Sequence, residues 1–203
     1  MHKLHCRVFF MIIATIGVAA SAPDGSAQVT VSRKLPPQIV ALVPEGAQVT
    51  GQSLAISQLW AEIDLFAEKK SGLRSQTMTQ YHLKFYSFDD DDTWKGVFAP
   101  SYRKMVETDS KQKAQTWAAG QSEMVSPPEV TQYPWGRGVT QRRRFYGEGA
   151  PDFYSYQCAY FGLAGTTRFE LTVDEIADRA EADKWATKVA ETAAKITLSS
   201  ISK

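Results

Sequence analysis

The sequence predicts an α+β domain: an antiparallel β-sheet of about five strands, packed by one middle helix and a long C-terminal helix. Three observations carry this prediction. Residues 59–67 and 80–85 alternate apolar and polar with period two, as half-buried strands do. Three further stretches between Val139 and Val173 are also strand-like, separated by short turns. Residues 174–198 then carry a single apolar stripe at helical spacing. Strands with one apolar face need a second layer to cover it, and helices supply that layer.

The N-terminus reads as an export signal. Lys3 and Arg7 precede Val8–Ala20, an uncharged apolar run, and small residues follow at Ala20-Ser21-Ala22 and Gly25-Ser26-Ala27. The run is shorter than the roughly 20 residues that span a bilayer. A cleaved signal peptide over 1–27 is therefore expected, cut after Ala27, with Ala20 the second choice. Pro23 counts against a cut after Ala22, because its fixed φ and missing N–H suit an extended protease substrate poorly. The remainder, 28–203, is expected to be one domain, periplasmic or secreted, with no transmembrane segment.

Removing 1–27 takes away Lys3, Arg7 and Asp24, so 23 basic and 22 acidic residues become 21 of each. A net charge of zero gives no global field for nucleic acid or an anionic membrane. Cys6 lies in the signal, which leaves Cys158 without an intramolecular disulfide partner; burial is the expected state of such a thiol. Neither sequence nor spacing fixes an oligomeric state.

Taken in order, Gln28–Lys34 is a polar lead-in, extended or poorly ordered. Pro36-Pro37 can start a helical turn that Pro44 and Gly46 must end, with Ile39, Val40 and Leu42 tucked under the sheet. A short strand near Ala47–Thr50 is possible. Leu59, Ala61, Ile63, Leu65 and Ala67 face one way, and after a connection containing Gly72 the alternation resumes at Tyr81, Leu83 and Phe85. A four-aspartate run, Asp89–Asp92, follows. Pro100 opens a helix carrying Tyr102, Val106, Ala114, Trp117 and Ala118 to a stop at Gly120. Residues 126–138, with three prolines and two glycines, read as a long loop. Bulky groups on both faces of 153–161 make that strand central. In the closing helix Ala182, Trp185, Ala186, Val189, Ala190, Ala193 and Ile196 form the stripe, opposite Asp183, Lys184, Lys188 and Glu191.

Reactive constellations are sparse. Asp89–Asp92 could offer oxygen ligands to a hard cation, but adjacent side chains point apart and the glycine and glutamate of a calcium loop are missing. A nucleophilic triad would have to use His82, mid-strand beside Lys84, and no G-x-S-x-G sequence is present. Neither a metal nor a cofactor is expected. Glu62, Asp64, Glu148 and Asp152 could support a hydrolase of envelope polymers through paired carboxylates, which is the alternative reading.

The main reading is a non-catalytic binding protein using one aromatic and arginine-bearing surface. Tyr133, Trp135 and Arg137 would come from the loop, with Arg142, Arg144 and Tyr156 on the strands behind. Arginine and aromatic side chains together suit anions, sugars or a protein surface. Folding back of the loop aromatics over the core, and cross-strand packing of the arginines, account for the same residues. The partner would be a protein or small molecule of the cell envelope.

Overall fold

In the computed structural model, which describes residues 30–32, 34–57, 60–71, 78–88, 99–119, 126–147 and 150–201, the alternating stretches build one antiparallel sheet. Its first four strands are β1 (Thr30–Ser32), β2 (Gln48–Ile56), β3 (Trp60–Lys70) and β4 (Met78–Phe88). The rest are β5 (Glu129–Tyr133), β6 (Gly136–Gly147), β7 (Ala150–Ala164) and β8 (Thr167–Ile176). They lie in the order β1-β2-β3-β4-β8-β7-β6-β5. Two four-stranded meanders therefore meet at the β4–β8 seam, joined in sequence through helix α2 (Ala99–Ala119). Residues 1–27, read above as a signal, lie outside the described residues, as do Leu59, Gly72, Asp89–Asp92, Gly120, Glu148 and the side chain of Asp152.

One sheet face is a closed apolar core. Ile63 and Leu65 of β3, Leu83 and Phe85 of β4, Phe169 and Leu171 of β8 and Tyr160 of β7 are all fully buried there. Their period-two spacing puts them on one side of the pleat. Helices α1 (Pro37–Val40), α3 (Arg179–Ala193) and α4 (Leu198–Ile201) cover this face. Asp178 caps α3 by accepting a hydrogen bond from the Ala180 N–H at 2.9 Å. The whole predicted stripe from Ala182 to Ile196 is buried, its alanines letting the backbone lie close to the sheet. Trp185 fills the remaining gap and donates its indole N–H to the Leu42 carbonyl at 2.9 Å. In α1, Ile39 is buried with nearby Leu42, whereas Val40 is exposed on the outer side of the single turn.

The opposite face is mostly polar. α2 packs on its β6–β7 part, where Ala114 meets Val139, Ala159 and Phe161, and reaches β8 through ion pairs. No described helix is long and apolar enough to cross a membrane.

The α+β class and both helix positions agree with the sequence reading, but eight strands replace about five. β1 and β5 are the additions, and β2 is longer than the short strand thought possible near Ala47–Thr50. β2 has only Leu54 fully inward, so its sequence carries no clear alternation. β5 falls within residues 126–138: what read as a loop is a hairpin whose prolines flank a five-residue edge strand, the position proline tolerates.

Candidate functional site

The β5–β6 hairpin turns at Pro134-Trp135, with Tyr133 opposite Gly136. The turn sits against the end of β7: Leu163 donates its N–H to the Trp135 carbonyl at 2.9 Å. A Cβ on Gly136 would lie 2.1 Å from the Phe161 carbonyl oxygen, so only glycine fits this approach.

Tyr133 and Trp135 are stacked, ring centroids 4.5 Å apart and 5° from parallel. Behind them, Trp135 packs on Phe169 and Tyr160 of the core face. The Tyr133 and Tyr160 hydroxyls both donate to Oδ1 of Asp183, at 2.7 and 2.9 Å. Arg179 Nε approaches the other carboxylate oxygen at 3.4 Å. Burial, followed by the Asp183 hydrogen bond and charge, pushes the Tyr133 phenol up to about 12. The loop aromatics thus fold back over the core and are tied to α3. Asp183 read as part of α3's solvated side; instead it faces the β5 edge, one position round from the apolar stripe.

Arg137 points to the other sheet face and donates from Nη1 to the Glu107 carbonyl of α2 at 3.2 Å. Between α2 and the hairpin turn opens a cleft of about 340 Å³, lined by Glu107, Ser110, Gln132, Trp135, Arg137 and Leu163, among others. Gln132 uses its amide N–H groups on the Tyr133 and Gly136 carbonyls, which stiffens the turn. An alternating charge network pins α2 beside the cleft. Arg168 holds Asp109 and Glu170, while Lys113 holds Glu170 and lies 3.8 Å from Asp109. The cleft therefore has a braced wall, a guanidinium with donors beyond the one used on Glu107, one carboxylate, a hydroxyl and apolar surface. That set can orient a small polar ligand.

The other sequence candidates lie elsewhere. Arg142 and Tyr156 are cross-strand neighbours on the helix-covered face, and the Arg142 guanidinium sits over Tyr154, 4.2 Å from its ring centroid. Arg144 is exposed further along β6. Six residues separate Gly136 from Arg142, about 20 Å along a strand. Trp135 and Arg137 share the cleft, Tyr133 supports it from behind, and Arg142, Arg144 and Tyr156 form a separate group. Glu107, Ser110 and Leu163 carried no sequence signal, because only tertiary packing brings them to the turn.

The remaining candidates have structural partners. Cys158 is fully buried, and desolvation pushes its thiol up to about 11 against weaker opposition from the Tyr160 and Thr140 hydrogen bonds. His82 stacks on Phe66 at 4.1 Å and lies 3.2 Å from Asp64. Lys84 lies 2.8 Å from Glu62 and 3.8 Å from Asp64. Burial opposes its charge, but hydrogen bonds to Glu62 and Tyr86 with the Asp64 charge outweigh burial and hold the ammonium above its ordinary range. Glu62 and Asp64 thus share one cation instead of flanking a cleft.

Comparison with known proteins finds no matching family model, no matching curated protein and no matching solved structure, so the functional reading rests on this geometry.

Proposed function

We propose that the chain is an exported, non-catalytic binding protein that holds a small polar ligand or partner group in the cleft between α2 and the β5–β6 turn. The observation that carries the reading is the pairing of Trp135 and Arg137 in one cleft of about 340 Å³. That volume lies within the roughly 300–1,000 Å³ usual for small-molecule sites. The cleft's lining includes one carboxylate, Glu107, and no histidine or cysteine. Recognition suits that set better than acid–base chemistry, which needs groups with separated proton affinities. Lys3, Arg7 and the apolar run that follows support export to the periplasm or beyond.

The test uses residues 28–203 and a small-molecule extract of the producing cell's envelope, followed by ¹⁵N–¹H spectra. Ligand binding should shift the Trp135 indole resonance, and Arg137→Ala should abolish the shift while leaving the unfolding free energy within about 0.5 kcal/mol, as for a surface change. A ligand that binds the Arg137→Ala protein unchanged would remove the cleft from consideration. Intact mass of the exported form should place its start at Gln28; a chain still beginning at Met1 would overturn the cleavage.

A further inference from the structure

The cleft between α2 and the β5–β6 turn holds two polar groups that the fold leaves largely unused. Arg137 is half-buried, and its one hydrogen bond among the described residues goes to a neutral acceptor, the Glu107 carbonyl. No carboxylate pairs with its guanidinium among the described residues, in contrast to Arg168 and Lys113 nearby, which hold Asp109 and Glu170. A guanidinium carries five N–H donors, so most of them remain available. Ser110 is 5% exposed and lines the same cleft, and its hydroxyl has no hydrogen-bond partner among the described residues. Helical hydroxyls ordinarily turn back on the carbonyl four residues earlier, as Thr108 does on Lys104 at 2.9 Å and as Thr187 and Thr192 do in α3. Ser110 does not.

Glu107 and Ser110 are three positions apart, so they share one face of α2 about 4.5 Å apart along its axis. Arg137, bonded to the Glu107 backbone, sits at that same turn of the helix. Gln132 has spent its amide N–H groups on the Tyr133 and Gly136 carbonyls and keeps an acceptor oxygen. Trp135 and Leu163 supply apolar lining. The two lining charges, Arg137 and Glu107, are of opposite sign. A ligand with only a negative charge would meet the Glu107 carboxylate, and one with only a positive charge would meet Arg137.

We infer that the ligand of this cleft is an amphion of the free α-amino-acid type. Its carboxylate accepts from Arg137 and Ser110, its ammonium donates to Glu107, and its side chain lies against Trp135 and Leu163. The inference rests on the cleft being the binding site and adds the class of ligand. A planar two-oxygen anion matches the guanidinium edge and leaves an oxygen for the serine. Buried hydroxyls in folded proteins are hydrogen-bonded, and here the ligand completes Ser110. A phosphate dianion suits the site less well, because Glu107 stands at the same helical turn.

The test titrates residues 28–203 with L-alanine, L-leucine and L-phenylalanine, following heat and the Trp135 indole resonance. L-Leucinamide keeps only the ammonium, 4-methylpentanoate keeps only the carboxylate, and inorganic phosphate is the third control. At least one amino acid should bind and shift Trp135, with each single-charge analogue about tenfold weaker, as expected for loss of a charged hydrogen bond. Ser110→Ala should weaken binding about tenfold while leaving the urea midpoint unchanged or raised, since no internal bond is lost. Glu107→Gln should weaken the amino acid but strengthen 4-methylpentanoate, opposite signs that a general loosening of α2 would not produce. Equal binding of either analogue or of phosphate, undiminished binding or a lowered midpoint in Ser110→Ala, or no shift with any of the three amino acids overturns the inference. If the amino acids fail while an envelope extract still shifts Trp135 through Arg137, the ligand class falls and the cleft stands; if both fail, the cleft falls too.

Discussion

Asp183 is the hinge on which the hairpin aromatics depend, and its removal can be worked through. Asp183→Ala takes the acceptor from two phenols at once. Tyr160 is fully buried, so its hydroxyl is left with only the weak Cys158 thiol as a neighbour, at a cost of about 1–3 kcal/mol. Tyr133 is half-buried and can turn to water, so its loss is about 1 kcal/mol. Arg179 retains Glu129 at 2.6 Å, and the weak contact to Asp183 adds little. The expected destabilisation is about 2–4 kcal/mol, a fall in Tm of about 5–15 °C for a domain of this size. Urea unfolding followed by tryptophan fluorescence measures it, and Tyr160→Phe completes a double-mutant cycle. Because Tyr160→Phe removes the stranded hydroxyl, the double variant should be about 1–2 kcal/mol more stable than the sum of the single losses implies. Additivity within about 0.5 kcal/mol would refute the Tyr160–Asp183 hydrogen bond as the element holding the hairpin to α3.

Alkaline stability and one glycine test other parts of the same region. The Cys158 thiol is pushed from about 9 to about 11 by burial, so folding favours its protonated form. That contribution is complete below about pH 9 and is lost as pH rises through 11, by about 2–3 kcal/mol at 1.36 kcal/mol per unit. Tyr133, raised to about 12, extends the decline above pH 10. Urea midpoints at pH 8 and pH 11 should therefore differ less in Cys158→Ala than in the unaltered chain; an equal difference sinks the assignment. At Gly162 a Cβ would lie 2.5 Å from the Trp135 carbonyl oxygen and 2.6 Å from Phe169 Cζ. Gly162→Ala should cost about 2–3 kcal/mol and shift Trp135 emission; a change under about 0.5 kcal/mol would mean the turn does not press on β7.

Much of the fold was legible because one face of the sheet has to be apolar. The period-two runs in β3, β4 and β8, and the stripe on α3, are each the direct trace of that face. β2 was legible only as a possible short strand and β5 not at all, for opposite reasons. β2 buries too little to alternate, and β5 is short enough that its flanking prolines dominate the local signal. The site was legible in part: Tyr133 and Trp135 were unusual enough in a polar segment to be noticed. Their partners were not, since Glu107, Ser110, Leu163 and Asp183 become neighbours only through long-range packing. Nor could the sequence say that Arg137 and Arg142 point to opposite faces, because their odd offset of five positions has that meaning only where one strand runs unbroken across both.

The polar sheet face is where stability alone explains least. Partly exposed ion pairs such as Lys84–Glu62 contribute about 0–1 kcal/mol each, and ordinary strand-surface residues would serve as well. Buried polar atoms without partners among the described residues, at Gln141, Ser155, Gln157 and Asp174, lower stability instead of raising it. The left-handed Glu175 beside them adds strain of about 1–3 kcal/mol. A fold under selection for stability alone would replace these groups with apolar ones, as it has on the other face. The apolar face and its three helices make the domain; the polar face, partly covered by α2, carries the groups that packing alone does not explain.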